Sequence, residues 1–375
     1  MATSYDDIEV RRPDLARSYL ALMQAQPGRP LAMFAPRRVG KTHFLDHDLA
    51  PAARALGWLP VYADLWLQRS APLDAINHAL EEALDDAQVA PTRIGRIAGT
   101  PVKKIGLLGA EVEIGEPPTR RALPAAPALR LDALVARLAQ AAGGPVLLML
   151  DEIQSLAEAA QGDQVLAALR AVLHKRRGVL HSVFTGSSQE ALARMLSTAG
   201  APMYQFAQIL NFPVLGDEFL QPLARHFAKV HRGKSLDAAA MRAVFERIGF
   251  KPALMRDLVK AASAEGIVDL QLAVQRFLAD DRQVAGFRAL LEPLAALDRS
   301  LLWVLAHRKP PFGRETLAEL RPALPGDEPT TSKLRAAMAR LARLGLLSHA
   351  GSARAELTDP LFAEYLQGLA LRQLL

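Results

Sequence analysis

The residues best suited to chemistry are Ala35-Pro36-Arg37-Arg38-Val39-Gly40-Lys41-Thr42, set between the apolar run Leu31-Ala32-Met33-Phe34 and a helical pattern that continues through Leu49. Their spacing is that of a phosphate-binding loop, G-x-x-x-x-G-K-[ST], with Ala35 in place of the first glycine. Gly40 lets backbone N–H groups turn toward phosphate oxygens at a helix N-terminus, where the aligned peptide dipoles favour anions. Lys41 reaches the terminal phosphates as a point charge, and the Thr42 hydroxyl can ligate Mg²⁺. Ala35 lacks the freedom of glycine at positive φ and narrows the conformations open to the first loop position.

A second group completes that chemistry. The run Pro145-Val146-Leu147-Leu148-Met149-Leu150 ends in Asp151-Glu152, so an apolar strand delivers two carboxylates at its C-terminal end. Ligands of open parallel sheets bind just outside those strand ends. Asp151 is expected to hold Mg²⁺, directly or through water, and Glu152 to orient and polarise an attacking water. A third strand end, His181-Ser182-Val183-Phe184-Thr185-Gly186-Ser187-Ser188, offers polar side chains between the other two. Thr185, Ser187 and Ser188 are candidates for contacting the terminal phosphate or the water, with Ser187 the first choice. A Gly-Ser turn capping the next helix explains the same residues.

These motifs need a scaffold of strands alternating with helices. Leu31 to Phe34, Leu59 to Leu65, Val146 to Leu150 and Val179 to Thr185 have strand length, and amphipathic stretches separate them. That alternation predicts an α/β fold of the P-loop NTPase type, a parallel sheet flanked by helices. The expected ATPase core spans residues 1–215. Within it the segment from about 91 to 127 breaks the rhythm, and its alternating middle, Val102 to Ile114, reads as an inserted β-hairpin. Residues 216–292 read as an all-helical lid. Residues 293–375 read as a winged helix-turn-helix: helices over Ser300 to His307, Arg314 to Leu320 and Thr330 to Leu344, then two short strands around Ala350-Gly351-Ser352.

Pro36 to Thr42, Ala63-Asp64-Leu65, Leu150-Asp151-Glu152 and Phe184 to Ser188 occur in one order. In that order the chain resembles the archaeal-type ATPase family, STAND-related P-loop proteins similar to the origin-recognition branch of AAA+ ATPases. The resemblance covers about residues 10 to 360. It implies ATP with Mg²⁺ and often a nucleotide-dependent switch. The chain departs from the family in two places. Pro202-Met203-Tyr204-Gln205-Phe206 stands where Pro-Leu-Tyr-Gly-Arg is common, so a finger arginine is missing at Phe206. Gly249-Phe250-Lys251-Pro252 falls where related lids have Gly-x-x-Pro or a sensor arginine. Lys251 and Arg256 either reach phosphate or mark a helix start.

The net charge of +6 and the preference for arginine suit a polyanionic partner, and a compositional bias toward Ala, Arg, Leu and Pro accounts for them equally. Lys333, Arg335, Arg340 and Arg343 on the third helix, with Arg354 on the wing, are candidates for contacting duplex DNA. Because winged helices also dock proteins, a protein partner or a homo-oligomer stays open beside DNA. The chain has no cysteine and no apolar run long enough to span a bilayer. Its N-terminus lacks a basic segment followed by an apolar one, and the expectation is a cytoplasmic protein with no membrane contact.

Overall fold

A computed structural model describes residues 4–68, 70–97, 122–157, 159, 161–186, 192, 195–324, 328–348 and 355–374. Its centre is a five-stranded sheet built from β1 (Leu31–Phe34), β2 (Leu59–Asp64), β3 (Val146–Asp151), β4 (Leu180–Gly186) and β5 (Gln208–Asn211). The spatial order is β2-β3-β4-β1-β5, and every neighbouring pair is parallel. β3 is buried along its whole length, which explains its unbroken apolar run: helices cover both faces of a parallel sheet. Alternate residues serve the two sides. Val146, Leu148 and Leu150 join one apolar layer with Leu134 and Leu169, while Leu147 and Met149 join the other with Tyr19, Met23 and Phe44.

Helix α1 (Pro13–Ala25) and the helix that follows the phosphate loop supply the second layer. The latter is α2 (Lys41–Phe44), a π-helical turn (Leu45–Leu49) and α3 (Ala50–Ala55) in unbroken succession. The first layer comes from α4 (Pro72–Ile97), α5 (Pro127–Ala142) and α6 (Gly162–Lys175). The expected hairpin, residues 102–114, lies outside the described residues. α4 extends into the segment's start at residues 91–97, and α5 begins at its end. Strand β5 has no counterpart in the sequence-based set. It is a four-residue edge strand held by β1, and with two polar residues in Gln208-Ile209-Leu210-Asn211 it carries little apolar signal.

Next come α7 (Asp217–Val230), α8 (Ala238–Arg247), α9 (Pro252–Glu265), α10 (Leu270–Ala279) and α11 (Asp281–Leu291). The winged-helix order follows: α12 (Ala296–Ala306), α13 (Arg314–Leu320), α14 (Thr331–Arg343), β6 (Leu347–Ser348), β7 (Glu356–Leu357) and a closing α15 (Pro360–Gln367). β6 and β7 pair antiparallel, and their connecting turn, with Arg354, lies outside the described residues. The Thr330 hydroxyl accepts from Lys333 N–H at 3.3 Å to start α14. Gly345, at φ +74°, ends it in the left-handed conformation that glycine tolerates best. Residues on both sides of the expected 292/293 boundary share one apolar cluster, Phe219, Phe245 and Met255 with Leu301, Leu302 and Phe362. Tyr5 and Ile8 from the N-terminal segment belong to it too.

Candidate nucleotide site

The strand order explains how distant motifs meet. β1 carries the phosphate loop, β3 carries Asp151, and β4 lies between them, so the two strands are roughly 10 Å apart at normal sheet spacing. The helix leaving the loop turns back over the strand ends, and the Thr42 hydroxyl donates to Asp151 Oδ2 at 2.7 Å. Tyr62 donates to the same oxygen from β2 at 3.0 Å. Asp151 Oδ1 accepts from the Thr185 hydroxyl and, at 3.0 Å, from Glu152 N–H. A buried carboxylate held by hydroxyls and an amide is a hard oxygen cluster, and Thr42 with Asp151 fits a Mg²⁺ ion.

Thr185 is fully buried on Asp151, so among the third strand's candidates it is the one seen in the cluster. Ser187, the first choice, lies outside the described residues, as does Ser188. Asp64 Oδ1 accepts from Trp66 N–H at 2.8 Å and caps the turn after β2. Tyr62 was not anticipated; a hydroxyl inside an apolar strand, two residues before its end, was the available sign. Burial and the neighbouring Asp151 push its phenol pKa above the ordinary range.

In the loop, Gly40 has φ +95°, which only glycine adopts readily. Ala35 is not among the residues at positive φ and is buried, so alanine is compatible with the first position. Lys41 is also buried, and its ammonium donates to the carbonyls of Ala35 at 2.7 Å and Pro36 at 2.8 Å. Burial lowers its pKa, opposed by the charges of Glu152 and Asp151. Arg38 sits at φ +66° and Glu152 at φ +55°, two non-glycine residues in the left-handed region beside one site.

The loop also meets the winged helix. The Arg37 guanidinium lies 4.6 Å from the centre of the Trp66 ring and against Gly345, where an added Cβ would come within 2.6 Å of it. Lys251, buried at the start of α9, pairs with Asp359 at 3.4 Å. Burial lowers the Lys251 pKa, and Arg38 adds a smaller push in the same direction. Arg256 instead donates to the Asp6 carbonyl at 3.2 Å. Over Phe206 lies the Arg170 guanidinium, 5.1 Å from the ring centre.

The winged-helix cations divide. Arg340 is bound inward to Asp298, Nη2 to Oδ1 at 2.7 Å. Arg335 lies 5.7 Å from the Phe312 ring, and it, Lys333 and Arg343 are exposed. His43 and His47, one turn apart on the loop's own helix, have ring centres 4.4 Å apart; the sequence reading missed them, though their i,i+4 spacing was the available sign.

No family model matches the chain, and no curated protein matches it in sequence. Solved structures do. A Walker-type ATPase of Pyrococcus abyssi is 17% identical over 97% of this chain and 97% of its own, with a TM-score of 0.60. The ORC2 protein of Aeropyrum pernix, solved in ADPNP and ADP complexes, is 16% identical over 96% and 92%, with a TM-score of 0.51. At these identities the likeness is one of fold. The chain has the fold of an origin-recognition-type P-loop protein, a parallel sheet flanked by helices and followed by a C-terminal winged helix.

Proposed function

We propose that the chain is an ATP-binding and ATP-hydrolysing switch that associates with DNA through its winged helix. The observation that carries this reading is the Thr42–Asp151 contact, which closes the phosphate loop onto the acidic strand end across 109 positions. Gly40 and the following helix turn N–H groups toward phosphate, and Lys41 exchanges loop carbonyls for phosphate oxygens. Glu152 takes the proton of an attacking water. Mg²⁺ held at Thr42 and Asp151 would neutralise charge on the β and γ phosphates. Arg335, Arg343 and Lys333 give the exposed side of α14 the charge that duplex phosphates require. A protein partner is favoured by one specific feature: Leu344, at the end of the same helix, is 59% exposed.

Thermal unfolding with and without Mg-ATP tests the nucleotide reading. At a hundredfold excess over Kd the ligand adds about 2.7 kcal/mol, and Lys41→Ala removes most of that gain while keeping the core. No stabilisation of the parent, or full stabilisation of the variant, refutes it.

A further inference from the structure

Resting on the ATPase reading above, we propose that Gln154 is the positioning residue for Glu152. Its side-chain amide holds the glutamate carboxylate in the direction needed to take a proton from water. Glu152 leaves β3 in the left-handed conformation, φ +55°. Its carbonyl accepts from Ser155 N–H at 2.9 Å, so the chain coils into the short 3₁₀ turn Ile153–Ala157. That coil brings Gln154 back beside the residue two places earlier. Gln154 Nε2 donates to Glu152 Oε2 and so sets the direction of the carboxylate.

The amide is fixed from its far side as well. Gln154 is 7% exposed and packs on Gly186, the last residue of β4. There a Cβ would stand 2.8 Å from Gln154 Oε1. The Gly186 carbonyl accepts from the N–H of Ala35, the first residue of the phosphate loop, at 3.4 Å. The proposed base is therefore packed, through one amide, against β4, the strand hydrogen-bonded to the loop's first residue. A neutral donor suits this task, because it orients the carboxylate through one hydrogen bond without adding a charge beside it.

Gln154→Met keeps the unbranched length and deletes the donor. We expect kcat for Mg-ATP to fall by about ten- to a hundredfold, the cost of a misaligned base, with KM and nucleotide affinity by fluorescence titration within twofold of the parent. Added to Glu152→Gln, the same change should cost nothing more, since residues that act as a unit are not additive. Gly186→Ala approaches from the other side. It should lower kcat in the parent and have no effect in a Gln154→Ala background, where its methyl has room. Parent-like kcat in Gln154→Met and Gly186→Ala overturns the assignment, as does a loss confined to KM or one that adds to Glu152→Gln. If Glu152→Gln itself turns over like an active parent, Glu152 leaves the mechanism and this assignment falls with it, whereas a parent that binds Mg-ATP and never turns it over overturns the ATPase reading instead.

Discussion

Arg340→Ala separates architecture from recognition on the winged helix. Arg340 lies on α14 among cations expected to meet DNA, yet its guanidinium grips both oxygens of Asp298, at 2.7 and 3.3 Å. The Asp298 side chain is 7% exposed and that of Arg340 41%. Removing the cation strands a buried carboxylate, which ordinarily costs about 3–5 kcal/mol. The outer edge of Arg340 is wet, and solvent screening brings the expectation to about 2–3 kcal/mol. α12 and α14 share one apolar cluster with the lid helices, so the loss falls on a large cooperative unit. At about 2–4 °C per kcal/mol for such a unit, the melting temperature drops by roughly 4–12 °C. Circular dichroism melts of Arg340→Ala, Asp298→Asn and the double variant give the coupling. The pair should be strongly non-additive, because the double variant buries no unpaired charge. A single variant melting within about 1 °C of the parent would refute the reasoning and return Arg340 to the candidate DNA contacts.

The site and surface give three more expectations. Thr185→Val removes a buried donor from Asp151 and should cost about 1–3 kcal/mol of stability. It should also weaken Mg²⁺-dependent ATP affinity, and unchanged melting and titration curves would free Asp151 from Thr185. His181 stacks on Trp58 with ring centres 4.1 Å apart, and burial pulls its pKa down to about 4. A histidine held neutral stabilises above its ordinary pKa, and the benefit drains away as pH falls toward 4. The loss of up to about 3 kcal/mol should show in denaturant melts of the parent against His181→Gln, whose curve should be flatter over that window. Replacing Arg335 and Arg343 by Ala should weaken binding to unrelated duplexes and flatten the salt slope by at most about 2 units; parent-like binding would exclude this helix as the DNA face.

What the sequence conveyed depended on how far each signal lay from its consequence. The phosphate loop and Asp151-Glu152 were legible because backbone chemistry fixes residue type and spacing locally, and β3 announced itself by burial on both faces. At the third strand end the sequence shows candidates without their register; the pairing of Leu150 with Phe184 is what puts Thr185 beside Asp151. Arg340 looked like its neighbours on α14, since its partner Asp298 lies 42 positions away and nothing local distinguishes an inward arginine from an outward one. Tyr62 and Gln154 were hidden for a similar reason. Each acts through a residue the motifs had already named.

On the proposed function, the contacts between phosphate loop and winged helix should couple nucleotide binding to DNA binding. Arg37 is sandwiched by Trp66 and Gly345, and it faces the C-terminal end of α14, where the helix dipole leaves a partial negative charge. Lys251 is held by Asp359, whose Oδ1 also caps α15 through Leu361 N–H at 3.0 Å. A triphosphate in the loop carries several full negative charges and outcompetes half a charge at a helix end for Arg37. On the proposed function, nucleotide is expected to loosen α14 from the core, with a coupling of about 1–3 kcal/mol for such a change. Linkage requires the reverse effect to be equal: a duplex that draws α14 away from Arg37 must tighten ATP binding by the same factor, roughly 5- to 150-fold. Titrating labelled ATP into Glu152→Gln, with and without saturating duplex, measures that factor without hydrolysis. Trp66→Ala, which takes away one wall of the sandwich, should shrink it toward one. Equal ATP affinity in both titrations, with duplex demonstrably bound, would show that the Arg37 contact transmits nothing.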